Sequence, residues 1–443
     1  MTDTALLAEL IEIARAAGAD AADALLVAGA SLSVQRRLGV TDHLERSEAR
    51  DLGLRVFVGR RAAIVSSTTV DPAGFRALAE RAVAMARVVP EDLYGGLAER
   101  VTPPEDAAAL QLDDGEEPGA GALIARAEAA EQAARAVPGI SNSEGAEASW
   151  SRTRVALATS GGFAGAYSRS AHTVWASVVA GAGTGMQRDS DYCSRVHLAD
   201  LEDAEAIGRR AAERALARLN PTRPATAQLP VVFDPRVAGS LLGHLAAAIN
   251  GASVARGTTF LKDRLGQRVF APGIEVQDDP RRVRALRSRP FDAEGVPTAP
   301  RAIIADGVLT TWLLDSRSAR QLGMASTGHA ARGTGSPPAP AATNLFLQPG
   351  RLTPAELMAD IRLGLYVTEL IGMGVNGVTG DYSRGAAGFM IRDGALAEPV
   401  AELTIAGTLP EMFARLTPAN DLAFRRGTDA PTLRIDAITM AGA

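Results

Sequence analysis

Apolar positions recur at helical spacing over residues 5–17, from Leu6 and Leu7 through Leu10 and Ile11 to Ala14, and Gly18 is placed to stop that helix. The pattern changes over 24–69. Leu25-Leu-Val, Ser31-Leu-Ser-Val, Leu52-Gly-Leu-Arg-Val-Phe-Val and Ala62-Ala-Ile-Val are short runs divided by glycines and charges. They read as a strand meander with a hairpin turn at Gly59-Arg-Arg. Asp71-Pro72 then predicts a capped helix over 71–89. The order repeats further on: a helix at 122–137, a meander at 141–196 and a helix at 201–219. Turns in the second meander are expected at Ser151-Arg, Ser160-Gly-Gly and Gly181-Ala-Gly. Helix, meander, helix thus occurs twice, as an internal repeat or as one extended layer.

Asn220-Pro-Thr-Arg-Pro-Ala marks the expected domain boundary. A short strand at 229–233 follows. Asp234-Pro235 then opens a helix with an N-cap and a first-turn proline. Val237, Leu241, Leu242, Leu245 and Ile249 form its stripe, and Gly251 can end it. Beyond Gly257 the runs are short and turn residues frequent. One further helix is expected, at 354–365 behind Thr353, among strands and long loops such as the Pro/Ala-rich 336–342. The fold class is α+β. An N-terminal α/β domain, 1–220, holds strand meanders flanked by helices, and a β-rich C-terminal domain spans 221–443.

Composition narrows the classes. The chain has 443 residues, 47% of them hydrophobic, enough to fill real cores. A formal net charge of −5 gives no global reason to bind nucleic acid or an anionic membrane. One cysteine, Cys193, excludes an intramolecular disulfide and fits a reducing compartment. Met1-Thr-Asp-Thr is acidic rather than basic, so no signal peptide is expected. The longest weakly polar run, 239–255, contains His244 and Asn250 and is too short to span a bilayer. A cytoplasmic location follows as an expectation. Residues 101–121 carry six acids (Glu105, Asp106, Asp113, Asp114, Glu116 and Glu117) and no base, and read as a solvated linker.

General chemical motifs are few. The five histidines, His43, His172, His197, His244 and His329, include no pair four apart, and none is followed by Glu. No metal motif is therefore present. Cys193, Arg195 and His197 alternate along an expected strand, so a thiol nucleophile at Cys193 with His197 is one reading. A half-buried structural cysteine is the plainer one. The glycines around 161–165 and 181–185 lie between strands and read as hairpin turns rather than a dinucleotide loop. Arg281, Arg282, Arg284, Arg287 and Arg289 either meet a phosphate or acidic peptide or form a solvated loop. The lack of interleaved aromatics favours the loop.

Longer segments are more distinctive. Gly257-Thr-Thr-Phe-Leu-Lys-Asp-Arg-Leu-Gly, Phe291-Asp-Ala-Glu-Gly-Val-Pro-Thr and Thr343-Asn-Leu-Phe-Leu-Gln-Pro-Gly occur in order. Gly374-Val-Asn-Gly-Val-Thr-Gly-Asp-Tyr-Ser-Arg-Gly-Ala-Ala-Gly and Glu402-Leu-Thr-Ile-Ala-Gly-Thr-Leu follow them. Together with Arg46-Ser-Glu-Ala-Arg-Asp-Leu-Gly-Leu-Arg-Val near the N-terminus, they resemble the TldD/PmbA family, and its TldE (PmbA) branch in particular.

The resemblance implies a heterodimer. In the TldD branch a helix bearing H-E-x-x-x-H and a cysteine near the C-terminus hold zinc, and the pair degrades unfolded or flexible peptides in proteolysis, peptide maturation and antitoxin turnover. Laid on Leu241-Leu-Gly-His-Leu-Ala-Ala-Ala, the first zinc histidine falls at Gly243, the base at His244 and the second histidine at Ala248. The segment at 424–431 has no cysteine. The expectation is a non-catalytic subunit with no metal or cofactor of its own, zinc residing in a TldD-like partner. Lys262, Asp263, Arg264, Asp381, Tyr382, Ser383 and Arg384 are the candidate peptide or interface residues, with exposed strand edges of the β-rich domain holding extended peptide. An isolated chain is expected to be able to form a homodimer. A self-sufficient hydrolase using Cys193 and His197 is the alternative.

Overall fold

The computed structural model describes residues 2–99, 101 and 107–442; Glu105 and Asp106 of the expected linker lie outside them. Helix α1 (Asp3–Ala16) leads into three antiparallel strands, β1 (Ala21–Arg37), β2 (Val40–Val58) and β3 (Arg61–Ser67), and then α2 (Phe75–Val88). The same order follows in α3 (Ala120–Arg135), β4 (Ile140–Thr159), β5 (Ala164–Ala180), β6 (Gln187–Arg195) and α4 (Ala204–Ala217). The two units share one six-stranded sheet, ordered β3-β2-β1-β4-β5-β6, joined where β1 runs antiparallel to β4. The repeated pattern is therefore a repeated unit, and each unit keeps its own apolar core. Leu7, Leu10, Leu54 and Phe75 fill one, and Leu123, Trp150, Val174 and Ile207 the other.

Local differences from the pattern have clear causes. No turn occurs at Ser151-Arg; β4 runs straight through, because both its neighbours pair with it there. Within the expected linker, the described residues 107–121 are not simply solvated. Leu110 and Leu112 are buried, and Asp114 accepts from the Leu198 amide at 2.9 Å and meets His172 Nε2 at 2.8 Å. At Gly208 the helices α3 and α4 touch so closely that a Cβ would stand 2.0 Å from the Ala130 carbonyl oxygen.

After β7 (Ala227–Phe233) come α5 (Pro235–Ala248) and α6 (Gly251–Ala255). A five-stranded sheet is built from β8 (Val276–Asp278), β9 (Arg301–Ala305), β10 (Val308–Leu309), β13 (Leu345–Leu347) and β18 (Thr428–Asp429). Between its strands lie α7 (Ser316–Gln321) and the small ladder of β11 (Ala330–Ala331) with β12 (Ala339–Pro340). The last elements are α8 (Pro354–Met358), β14 (Leu363–Ile371), β15 (Asp381–Arg392), β16 (Ala395–Thr408), α9 (Leu409–Ala414), β17 (Leu416–Pro418) and β19 (Leu433–Ala441). Strands β7, β14, β15, β16 and β19 close into a barrel, since β16 pairs with both β15 and β19.

Two expectations are corrected here. The helix expected over 354–365 stops at Met358, because the alternating Leu363-Gly-Leu-Tyr-Val that follows joins the barrel. The short helices α6, α7 and α9 were not foreseen; five or six residues carry too little periodicity to read. Closure pairs β16 with β19 over Thr404–Ala406, so the barrel has no fully free edge strand, while β10 and β18 keep the open edges of the five-stranded sheet. The long unpaired edge lies instead on β2, where residues 40–51 have β1 as their only sheet neighbour.

Candidate functional site

Asp234 caps α5 by accepting the Arg236 amide at 2.8 Å, with Pro235 in the first turn. The helix lays Leu241, Leu242, Leu245 and Ala248 into the core shared by the barrel and the five-stranded sheet. This fixes which way the motif positions look. Gly243 is exposed, and a Cβ there would meet nothing within 4 Å. Ala248 is buried, and its carbonyl accepts the Thr259 hydroxyl at 2.7 Å.

His244 is half-buried between these, with its ring 5.9 Å from that of Tyr382 at an interplanar angle of 80°. Neither His244 Nε2 nor the Tyr382 hydroxyl has a hydrogen-bond partner among the described residues. Burial, helped by the Arg384 charge, holds the imidazole pKa below its ordinary value. Burial likewise pushes the Tyr382 phenol up. The imidazole therefore favours its neutral form near pH 7.

Three of the segments singled out from the sequence converge here. Thr259 ties the 257–264 loop to the end of α5, and the Phe260 amide donates to the Gly377 carbonyl at 3.1 Å. Val375 bridges to Tyr382. Lys262, Asp263 and Arg264 are exposed on that loop; Arg264 donates to Gln267 Oε1 at 3.0 Å and the Asp263 carbonyl accepts from Gln267 Nε2 at 2.9 Å. Asp381 accepts the Thr379 hydroxyl at 2.6 Å, the Ser383 amide donates to the Gly374 carbonyl, and Arg384 donates to the Ile371 carbonyl at 3.3 Å. The three polar residues of the loop are exposed, while the Tyr382 ring packs on His244 and the Arg384 charge acts on it electrostatically.

These residues do not fit a zinc ion. A single half-buried imidazole between Gly243 and Ala248 replaces the three or four donors a zinc site uses. No group of three or more His, Cys, Asp or Glu able to hold a metal occurs among the described residues.

The Cys193 pairing fares no better. Cys193 is buried in the core beneath α3 and α4, and burial raises its thiol pKa. His197 lies beyond the end of β6 and its Nε2 meets the Gln111 carbonyl at 2.8 Å. The arginine run 281–289 is also not a solvated loop: Arg282 lies over the Phe424 ring at 3.4 Å, and Arg284 bonds Gln111 and Asp200 of the N-terminal half. The aromatic partner comes from 142 positions away, out of reach of a local reading.

A second polar centre was not foreseen. Where the six-stranded sheet meets the C-terminal half, Asp23 Oδ2 accepts Arg55 Nε at 2.8 Å, and Asp23 Oδ1 forms an ion pair with Arg332 Nη1 at 2.7 Å. Glu294 is buried beside Arg55 and takes the Ser316 amide at 2.8 Å. Burial outweighs Arg55 and raises the Glu294 carboxyl to about 7. Arg55 and Glu294 line a cavity of about 570 Å³ with Phe57, Ile64, Asp315 and Arg317. The only sequence signal was a pair of acids inside the otherwise apolar turn at 291–296.

Comparison with known proteins gives a consistent result. Three family models match in order: PmbA/TldA metallopeptidase domain 1 over 22–86, the central domain over 113–219 and the C-terminal domain over 226–442. Metalloprotease PmbA of Escherichia coli O157:H7 is 35% identical over 425 residues, covering 96% of this chain and 92% of the relative. The PmbA homolog of Haemophilus influenzae is 34% identical over 438 residues, covering 98% and 94%. The crystal structure of TldE from Thermococcus kodakarensis superposes with a TM-score of 0.87 at 19% identity, covering 99% of this chain and all of that one. That likeness shows the fold. No helix among the described residues is long and apolar enough to cross a membrane.

Proposed function

The chain belongs to the PmbA/TldD metallopeptidase family, and from that premise we propose that it is the non-catalytic, TldE-like subunit of a two-component peptidase. It pairs with a TldD-like subunit that holds the zinc, and the assembled pair cleaves unfolded or flexible peptides. The observation that carries this reading is the occupancy of α5: exposed Gly243, half-buried His244 with its pKa held down, and buried Ala248. Metal hydrolysis needs a ligand set that lowers the pKa of a bound water and a base to take its proton. Glycine and alanine ligate nothing. Burial of His244 works against its gaining a proton. The role left to this chain is to complete the peptide chamber, with the exposed Lys262, Asp263, Arg264, Asp381 and Ser383 at the interface or on the peptide.

The test is reconstitution. The purified chain is assayed for bound zinc and for cleavage of casein and short unstructured peptides, alone and with a TldD-like subunit. The proposal expects neither zinc nor cleavage alone, and cleavage with the partner. Chelator-sensitive cleavage by the isolated chain overturns it.

A further inference from the structure

The face of the six-stranded sheet opposite its helices meets the C-terminal half, and a cavity of about 130 Å³ remains there. Its sheet side is apolar, formed by Leu25, Val27, Val155 and Leu157, and Phe291 packs edge-on to Tyr167 at 5.3 Å across it. Arg289 and Arg332 line the opposite side together with Asp292, Ala293 and Ala331, and burial pushes the Asp292 carboxyl up, toward its neutral form. Val27, Val155 and Tyr167 are only half-buried, so the cavity is not sealed from solvent.

These arginines are short of acceptors. The Arg332 side chain is 3% exposed and pairs with Asp23 through Nη1, yet its Nε and Nη2 have no partner among the described residues. Arg289 donates Nη1 to the Ala330 carbonyl at 2.9 Å, and its Nε and Nη2 also lack one. Arg169, two residues along β5 from Tyr167, makes no ion pair among the described residues; burial, together with Arg289 and Arg287 beside it, pushes its pKa down. The nearby acids are held in place, though Asp23 Oδ1, ion-paired with Arg332 Nη1 at 2.7 Å, accepts no aligned hydrogen bond among the described residues. Asp23 is shared by Arg55 and Arg332. Asp292 accepts the Glu294, Val296 and Ala330 amides. Buried donors without acceptors are unfavourable, charged ones most of all. Positive charge and unmet donors therefore stand beside an apolar wall.

We propose that this cavity binds a small carboxylate with an apolar body. The carboxylate sits between Arg289 and Arg332 after a modest turn of the guanidinium planes, and the body lies against Leu25, Leu157 and Phe291. Planar, paired N–H donors match a carboxylate. A protein cavity of about 150 Å³ holds benzene, so this one suits a group of four or five carbons and excludes a nucleotide. The same chemistry comes from a free short-chain acid or from the carboxyl-terminal residue of a peptide. The inference stands apart from whether the chain pairs with a zinc subunit.

Calorimetric titration of the full chain in chloride-free buffer tests it, with isovalerate, isovaleramide, and Ala-Ala-Leu as free acid and as amide. An acid is expected to bind and its amide not. Arg289→Met and Arg332→Met are each expected to weaken binding at least about tenfold, the loss of a charge-assisted pair. Arg289→Met keeps the test valid if Arg332→Met unfolds by leaving Asp23 short of a partner, since the Arg289 side chain makes a single hydrogen bond among the described residues, to a backbone carbonyl. Isovalerate binding alone assigns a free acid, and binding of the free-acid peptide assigns a peptide terminus; either supports the site. No binding of either acid, equal binding of acid and amide, or wild-type affinity in Arg289→Met overturns it.

Discussion

His244 and Tyr382 meet ring to ring, with centroids 5.9 Å apart and planes at 80°. One belongs to α5, where the catalytic relatives of this family are expected to carry their base. The other belongs to the barrel strand β15. The contact makes His244 a packing residue, and burial, helped by the Arg384 charge, holds its imidazole pKa below the ordinary value. The first prediction follows. His244 titrates below 6.5 when its ring signals are followed by NMR against pH. A lowered folded pKa means that the unfolded chain binds more protons below 6.5, so this group lowers stability as pH falls through that value. His244→Phe keeps the ring contact and removes that contribution. A titration at or above 6.5 contradicts the assignment.

Glu294 has the opposite sign. Its carboxyl is raised from 4.5 to about 7, so the folded chain binds the extra proton in that window and loses stability as pH rises through it. The full shift corresponds to about 3 kcal/mol. Glu294→Gln, which keeps an acceptor for the Ser316 amide, should flatten the loss. Urea unfolding at pH 5 and pH 8 measures it. An unchanged difference between the two pH values counts against a buried, proton-binding Glu294.

Two glycines separate open space from close contact. Gly243→Ala places its Cβ where nothing lies within 4 Å, and should stabilise the isolated chain by about 0.5–1 kcal/mol through helix propensity. Gly208→Ala places its Cβ 2.0 Å from the Ala130 carbonyl oxygen and should destabilise by about 1–3 kcal/mol or more, by forcing α3 and α4 apart. Thermal and denaturant melts of both variants read the contrast. A loss of stability in Gly243→Ala would mean that the α5 surface is packed in solution, as in a homodimer.

Cys193 is 1% exposed, and burial raises its thiol pKa. The native thiol should resist aromatic disulfide reagents and react only on unfolding. Cys193→Ala should leave any activity of the reconstituted pair intact. Rapid native labelling coupled to loss of cleavage would revive a thiol mechanism.

The sequence carried much of this architecture. Long amphipathic helices such as α1 and α4 announce themselves by period, and Asp234-Pro235 marks the start of α5 by its cap. Barrel closure was not legible, because the pairing of β16 with β19 joins Thr404 to Ala441 and leaves no local trace. The same holds for Arg282, whose aromatic partner Phe424 is distant in the chain. At the candidate site, the family alignment located Gly243, His244 and Ala248. It could not show that the Tyr382 ring packs on His244, which needs the barrel to fold against α5. The Asp23–Arg55–Glu294 centre was missed for a similar reason: its members lie 32 and 239 positions apart, and only burial makes them unusual.

The central claim is that this chain contributes no metal chemistry and acts only in company. Its most direct measurement is zinc content and peptide cleavage of the purified chain, before and after addition of a TldD-like subunit. The account predicts no stoichiometric zinc and no cleavage alone, then zinc-dependent cleavage once the partner is present. One zinc per chain with chelator-sensitive cleavage by the chain alone would contradict it.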